Sequence, residues 1–336
     1  MVISFEMKRF SSARTQIMGW AMFFVVFFHS SFPIAETSAV YAIKNLCDIG
    51  VDMFLFVSGI GIWFSLSRET DVMAYIKRRC LRILPAFLLV NTLWFSVIDL
   101  VLYHTSVWEF VKDITTLSFW LDGKLTTWYL SSLMLLQILS PVIVRRIKKS
   151  RRFLAIAIFF PIILAAIIRL TPLDSIFDHL LIIICRIPIY VLGLFFGKLV
   201  EENRIIKINL LSTTAVFCVS AGISLIAVGA TSAYLPFVIK YLAYCPLAII
   251  LSGLLSFVVP LRAANFWGGH SLEIYLLHEK LLWFIDNLTR IALPTVYAQA
   301  AMKTVLNLLA ILAAMVGATV LKWICDKFKD KVTSRK

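Results

Sequence analysis

From residue 17 onward the chain returns again and again to apolar runs of about 20 residues, each long enough to cross a bilayer as a helix at 1.5 Å rise per residue. Ten such runs are read: 17–35, 48–67, 82–103, 128–144, 153–170, 180–199, 208–229, 236–258, 271–291 and 300–323. Hydrocarbon offers the backbone no hydrogen-bond partners, so these runs must satisfy their own amides as helices. The expected fold is therefore all-α: a bundle of about ten transmembrane helices with both termini in the cytoplasm. Composition agrees, since 60% of the 336 residues are hydrophobic, 15% are charged and the mean hydropathy is +0.89. A soluble globule uses far fewer apolar residues.

The net charge of +14 raises the question of a nucleic-acid partner, and its distribution answers it. With the N-terminus inside, about 24 of the 33 Lys and Arg fall on the cytoplasmic side, which is the positive-inside asymmetry. The charge then anchors the protein against anionic membrane lipids and no nucleic acid is implied. The chain reads as one transmembrane domain, 1–336, with short basic tails at 1–16 and 324–336. The first apolar run is long and nine more follow, so it reads as a retained span rather than a cleaved signal. The longest polar connection, 104–127, is expected outside and can form a short interfacial helix, with Trp108, Trp120 and Trp128 suited to an aromatic belt. Six scattered cysteines without a CxxC indicate neither a disulfide framework nor a metal site.

Against this apolar background a few polar residues stand out. His29 lies about twelve residues into the first run, and ionisable groups at membrane depth are read first as pathway or reaction groups. Asp48 and Asp52 sit one helical turn apart at the start of the second run, and Asp52, the deeper, is a candidate to orient His29. Capping of the second span or pairing with an arginine is the alternative for that carboxylate. Arg78, Arg79 and Arg82 are spaced to share one helix face, a compact cationic group suited to phosphate, although plain juxtamembrane anchoring explains such a cluster equally well. Arg186 lies within the sixth run, two residues before Pro188, and Tyr275 and His278 share a face of the ninth. Gly193 and Gly197 have GxxxG spacing, which favours close helix packing.

The segments VVFFHS, GVDMFLFVSGIGI (50–62), YIKRRCLRILPAF (75–87), WYLSSLMLLQILSPVI (128–143), RIPIYVLGLFFGKL (186–199) and GGHSLEIYLLHE (268–279) together resemble the ordered signature blocks of the acyltransferase 3 family. The resemblance runs from the first span to the ninth. It implies a multispan membrane enzyme of the plasma membrane, in bacteria the inner membrane, which moves an acyl group, usually acetyl from acetyl-CoA, to a hydroxyl of a cell-surface glycan or lipid-linked sugar. No permanently bound cofactor is implied, acetyl-CoA being a co-substrate. By that resemblance His29 and Asp52 are the catalytic candidates. Arg78, Arg79 and Arg82 match the family's RRxxR element and would hold the donor, while Arg186, Trp128, Tyr275 and His278 are candidates for binding substrate. Many members carry an arginine eleven residues before the histidine; here that position is Met18, and Arg14, one turn earlier on the same face, is the substitute. The residues by themselves leave open a transporter or flippase for a glycan or lipid carrier, with His29 and Asp52 as a proton relay.

Overall fold

The computed structural model describes residues 1–68, 71–229, 234–292 and 300–333. A strand β1 (Val2–Glu6) and a short helix α1 (Lys8–Ser12) precede α2 (Arg14–His29), α3 (Ala39–Leu46), α4 (Ile49–Arg68) and α5 (Val72–Phe95), which continues into a π-helical segment (Ser96–Leu102). Two short helices, α6 (Val107–Ile114) and α7 (Leu117–Asp122), lead to α8 (Trp128–Lys149), α9 (Arg151–Arg169), α10 (Asp174–Ile184) and α11 (Ile187–Glu201). After strand β2 (Ile205–Asn209) come α12 (Leu210–Gly229), α13 (Tyr234–Leu255), α14 (Arg262–Gly269), α15 (Ser271–Ala292) and α16 (Ala300–Thr333).

The protein is an all-α membrane protein. Among the described residues eight helical segments are long and apolar enough to cross a bilayer. Two of the ten expected spans fall outside that set: α2 has 16 residues, and α15 carries Glu273, Glu279, Lys280, Asp286 and Arg290. The first run was expected to continue to residue 35, but its helix stops at His29. Ser30 turns to an extended conformation, its hydroxyl donates to the Phe27 carbonyl at 2.6 Å, and Pro33 follows, which disfavours helix just before it. The expected tails are also structured. Residues Val2–Glu6 pair antiparallel with Ile205–Asn209, and α16 runs on to Thr333; residues 334–336 lie outside the described residues.

The enclosed helix of the bundle is α4, and its closest neighbour is α11. A Cβ built on Gly193 would stand 2.2 Å from the Phe56 carbonyl oxygen, and one on Gly59 would stand 2.7 Å from that of Tyr190. The two backbones therefore touch where neither helix has a side chain, which gains dispersion contacts that lipid tails cannot match. The GxxxG spacing in the sequence has this cause.

A second constraint joins α4 to the break between α10 and α11 and to α13. Arg186, in that break and 2% exposed, sends Nε to Asp52 Oδ2 at 3.2 Å, and its Nη2 lies 3.7 Å from Asp48 Oδ2. Lys240 of α13 reaches Asp48 Oδ2 at 2.8 Å, and the Tyr244 hydroxyl donates to Asp48 Oδ1. Two carboxylates thus meet two cations. The Arg186 guanidinium also lies over the rings of Tyr241 at 4.1 Å and Trp128 at 4.9 Å, a cation–π arrangement favoured where water is excluded.

The 104–127 connection folds as the two helices α6 and α7, which are tied by charge. Lys112 bridges Glu109 and Asp122, both at 2.7 Å, and Lys124 bridges Asp113 at 2.9 Å and Glu109 at 3.2 Å. Hydrogen bonds from Lys112 and Lys124 hold the Glu109 carboxyl below its usual range.

Two stability outcomes follow from these contacts. Gly193→Leu, which drives a side chain into the Phe56 backbone, is expected to destabilise the detergent-solubilised protein by roughly 1–3 kcal/mol; an unchanged unfolding temperature would contradict the close approach. Arg186→Met strands the two carboxylates and is expected to lose about 3–5 kcal/mol, part of which returns when Asp48→Asn and Asp52→Asn are added. The same unfolding measurement reads both effects, and a triple variant no more stable than Arg186→Met would count against the charge argument.

Candidate active site

The helices α2 and α15 run the same way along the bundle and carry the polar residues of the site in the same order. On α2, Arg14 and Met18 come before His29; on α15, Ser271 and Tyr275 come before His278. The first two of each line a cavity, together with Arg79 and Arg82 of α5, Ser58 of α4 and Gln137 of α8. The histidines meet beyond it.

Three arginines face this cavity from two helices. Arg14 lies against α4 where Gly61 leaves room: a Cβ on that glycine would stand 2.8 Å from the Arg14 Cζ. Its buried Nε has no hydrogen-bond partner among the described residues, so a donor is left over at the cavity wall. Arg79 donates to the Ser65 hydroxyl at 2.6 Å and lies over the Tyr75 ring at 5.4 Å. Helix α5 begins at Val72, ten residues earlier than the apolar run, with the Asp71 carboxylate accepting from Met73 N at 2.8 Å. The arginines consequently stand on a regular helix whose two faces separate them. Arg79 and Arg82 line the cavity; Arg78, expected beside them, does not. The expected trio is instead Arg79, Arg82 and Arg14, with Met18 on the same wall.

At the other end of α2, His29 is half-buried and His278 is 1% exposed. His278 Nε2 lies 3.3 Å from His29 Nδ1, with ring centroids 5.1 Å apart. His29 Nδ1 is also 2.9 Å from the Val25 carbonyl, and His278 Nδ1 is 2.8 Å from that of Tyr275. Carbonyls only accept, so Nδ1 carries the proton in both neutral rings. The His278 Nε2 lone pair then accepts from His29 Nδ1–H, and His29 Nε2 keeps a lone pair. That atom can take a proton. Between the cavity and this pair stand Tyr275 and Tyr129, with ring centroids 4.9 Å apart.

Asp52 does not orient His29. Its carboxylate is 0% exposed and its Oδ2 accepts from Arg186, while the contacts of His29 are Val25 and His278. Charge decides this: a buried carboxylate gains far more from a guanidinium than from a neutral imidazole. The same cluster removes Arg186 from the substrate-facing group, and Trp128 lies against that guanidinium. Tyr275 lines the cavity and His278 adjoins His29. Three further residues went unnoticed in the sequence. Lys240 sits in an apolar helix and would have been flagged by the rule that flagged His29; Gln137 is polar within its span for the same reason. Tyr129, beside a tryptophan, carried no signal.

A family model described as an acyltransferase domain matches residues 17–327. No curated protein matches the chain, and no solved structure does. Apart from the first turn of α2, which carries Arg14, the match spans the helices that build the arginine-lined cavity and the histidine pair, and the chain belongs to the acyltransferase 3 family, as a multi-pass membrane acyltransferase.

Proposed function

We propose that the protein is an O-acetyltransferase that moves an acetyl group from cytoplasmic acetyl-CoA to a hydroxyl of a cell-surface glycan or lipid-linked sugar. It would work as one transmembrane domain of ten spans in the plasma membrane, the inner membrane of a bacterium, with both termini and the arginine-lined end in the cytoplasm. The observation that supports this reading is the succession, along α2 and α15, of a cavity faced by three arginines and then a histidine pair. Guanidinium groups bind phosphate oxygens bidentately, so Arg14, Arg79 and Arg82 suit the phosphates of coenzyme A. From Arg14 to His29 the axial distance is about 22 Å at 1.5 Å per residue. A donor with an extended arm must cross it, past Tyr129 and Tyr275.

The chemistry then needs a base and an oriented nucleophile. His29 Nε2 accepts the proton of the acceptor hydroxyl as its oxygen attacks the thioester carbonyl carbon. The C–S bond breaks, and the thiolate leaves with the proton returned by His29. During attack the imidazolium of His29 is held by its Nδ1 donation to His278 Nε2 and the Val25 carbonyl. His278 acts as a positioning residue. It does so without a carboxylate, in the place where triad enzymes use an acid. A relay between His29 and Asp52, on which the transporter reading depends, lacks its contact because Asp52 accepts from Arg186.

Membranes incubated with acetyl-labelled acetyl-CoA should pass label to a glycan or lipid acceptor in an ester that hydroxylamine cleaves. His29→Ala is expected to abolish that transfer, and His278→Gln to lower kcat by about 10²-fold while leaving KM for the donor near normal; full activity in either would remove its role. Arg79→Ala and Arg82→Ala are expected to raise KM for acetyl-CoA, together by about tenfold or more, whereas Arg78→Ala leaves it unchanged. Equal effects at all three positions would mean general surface charge rather than a phosphate site.

A further inference from the structure

A groove far from the histidines lies between the start of α9 and the end of α11, where β2 begins. Its rim carries Arg151, Lys198 and Arg204, and its floor is built by Leu154, Phe195 and Ile206. One carboxylate serves this rim: Glu202 takes Arg204 Nε at 3.0 Å and lies 3.9 Å from Lys198 Nζ. Arg151 takes part in none of the ion pairs found among the described residues. Three cations against one anion leave the rim with an excess of two positive charges.

The surroundings of the groove are apolar and exposed. Ile205 is 62% exposed and Ile206 37%, although both lie on a strand tied back to β1 through Glu6 and Phe5. A soluble face would not present such residues beside a basic rim; the headgroup region of a bilayer accommodates both. From the groove, α9 continues on the same face with Ile158, one turn below Leu154 and half-buried. Charge at the rim and an apolar floor beneath it correspond to the two halves of one molecule.

We infer that this groove binds an anionic glycerophospholipid of the cytoplasmic leaflet, on the topology proposed above. Its phosphate sits among Arg151, Lys198 and Arg204, and an acyl chain lies along Leu154, Ile158 and Phe195. Basic pockets between spans on the cytoplasmic side select lipids by headgroup charge, and bidentate guanidinium contacts to phosphate make that selection specific. A free phosphate or sugar phosphate would use the rim alone and leave the apolar floor and the exposed Ile205 and Ile206 unexplained. Bound there, the lipid would bridge α9, α11 and the β1–β2 ribbon, which are otherwise joined at their ends by few polar contacts.

The test is native mass spectrometry of the full chain released from detergent with phosphatidylglycerol or phosphatidylcholine of identical acyl chains. Phosphatidylglycerol is expected to be retained about tenfold more strongly, and Arg151→Gln with Arg204→Gln should bring it down to the phosphatidylcholine level. A control of equal charge loss outside the groove, Arg145→Gln with Lys149→Gln, should leave the preference intact and reports whether folding has changed. Equal retention of the two lipids by the unaltered chain would overturn the inference, as would a control that loses the preference as fully as the groove variant. Displacement by excess sn-glycerol 3-phosphate as effective as that by phosphatidylglycerol would assign the rim to a soluble ligand and overturn it too. None of these readouts depends on acyl transfer.

Discussion

A guanidinium buried in a membrane bundle must meet its counter-charge, and Arg186 does so on α4. The penalty for burying either partner alone is several kcal/mol, while the net gain of the pair over apolar packing is small. Its value lies in position. Asp48 and Asp52 are one turn apart, so Arg186 and Lys240 can neutralise both only when α4, the α10–α11 break and α13 stand at one register. The glycine contact between α4 and α11 then supplies the packing that the charges do not. With α4 pinned on that side, its opposite face is left for α2, and α2 carries both ends of the site.

This arrangement separates two kinds of electrostatics that would interfere if mixed. The Arg186 cluster and the arginine-lined cavity both carry formal charge, and the histidine pair is joined to neither by an ion pair among the described residues. Its hydrogen bonds run from Nδ1–H groups to carbonyls and to the other imidazole, which fixes both tautomers without a carboxylate. The donors and acceptors around such a base are already oriented when the hydroxyl proton arrives.

Much of the fold was legible because hydropathy needs no long-range information. Each expected apolar run overlaps a helix, and the helical character of the 104–127 connection was expected too. What escaped was geometry between helices. His29 and Asp52 lie at comparable depth by residue counting, yet depth says nothing of azimuth, and a partner 249 residues away on α15 is invisible to a spacing argument. Arg78 is a related case: adjacent to Arg79 in sequence, it is about 100° away around a helix of 3.6 residues per turn and does not line the cavity. The ribbon of β1 and β2 escaped because five-residue strands carry too little pattern, and α14 because its eight residues, RAANFWGG, are short and mildly apolar. Lys240 was legible and was passed over.

The departure at Met18 shows how far one position can be exchanged without moving the charge out of the site. Arg14 is one turn nearer the basic end, about 6 Å along the axis. Two features offset that retreat. Positions four apart share a face of the helix, so Arg14 and Met18 line the same cavity. An arginine side chain can also extend over a distance comparable to a turn, and Gly61 leaves the space on α4 into which its guanidinium lies. An alanine at 61 would put a methyl group in contact with that guanidinium and push it away from the wall. The requirement at this point of the cavity is thus a guanidinium held against α4, and the backbone position that supplies it is free to shift by a turn.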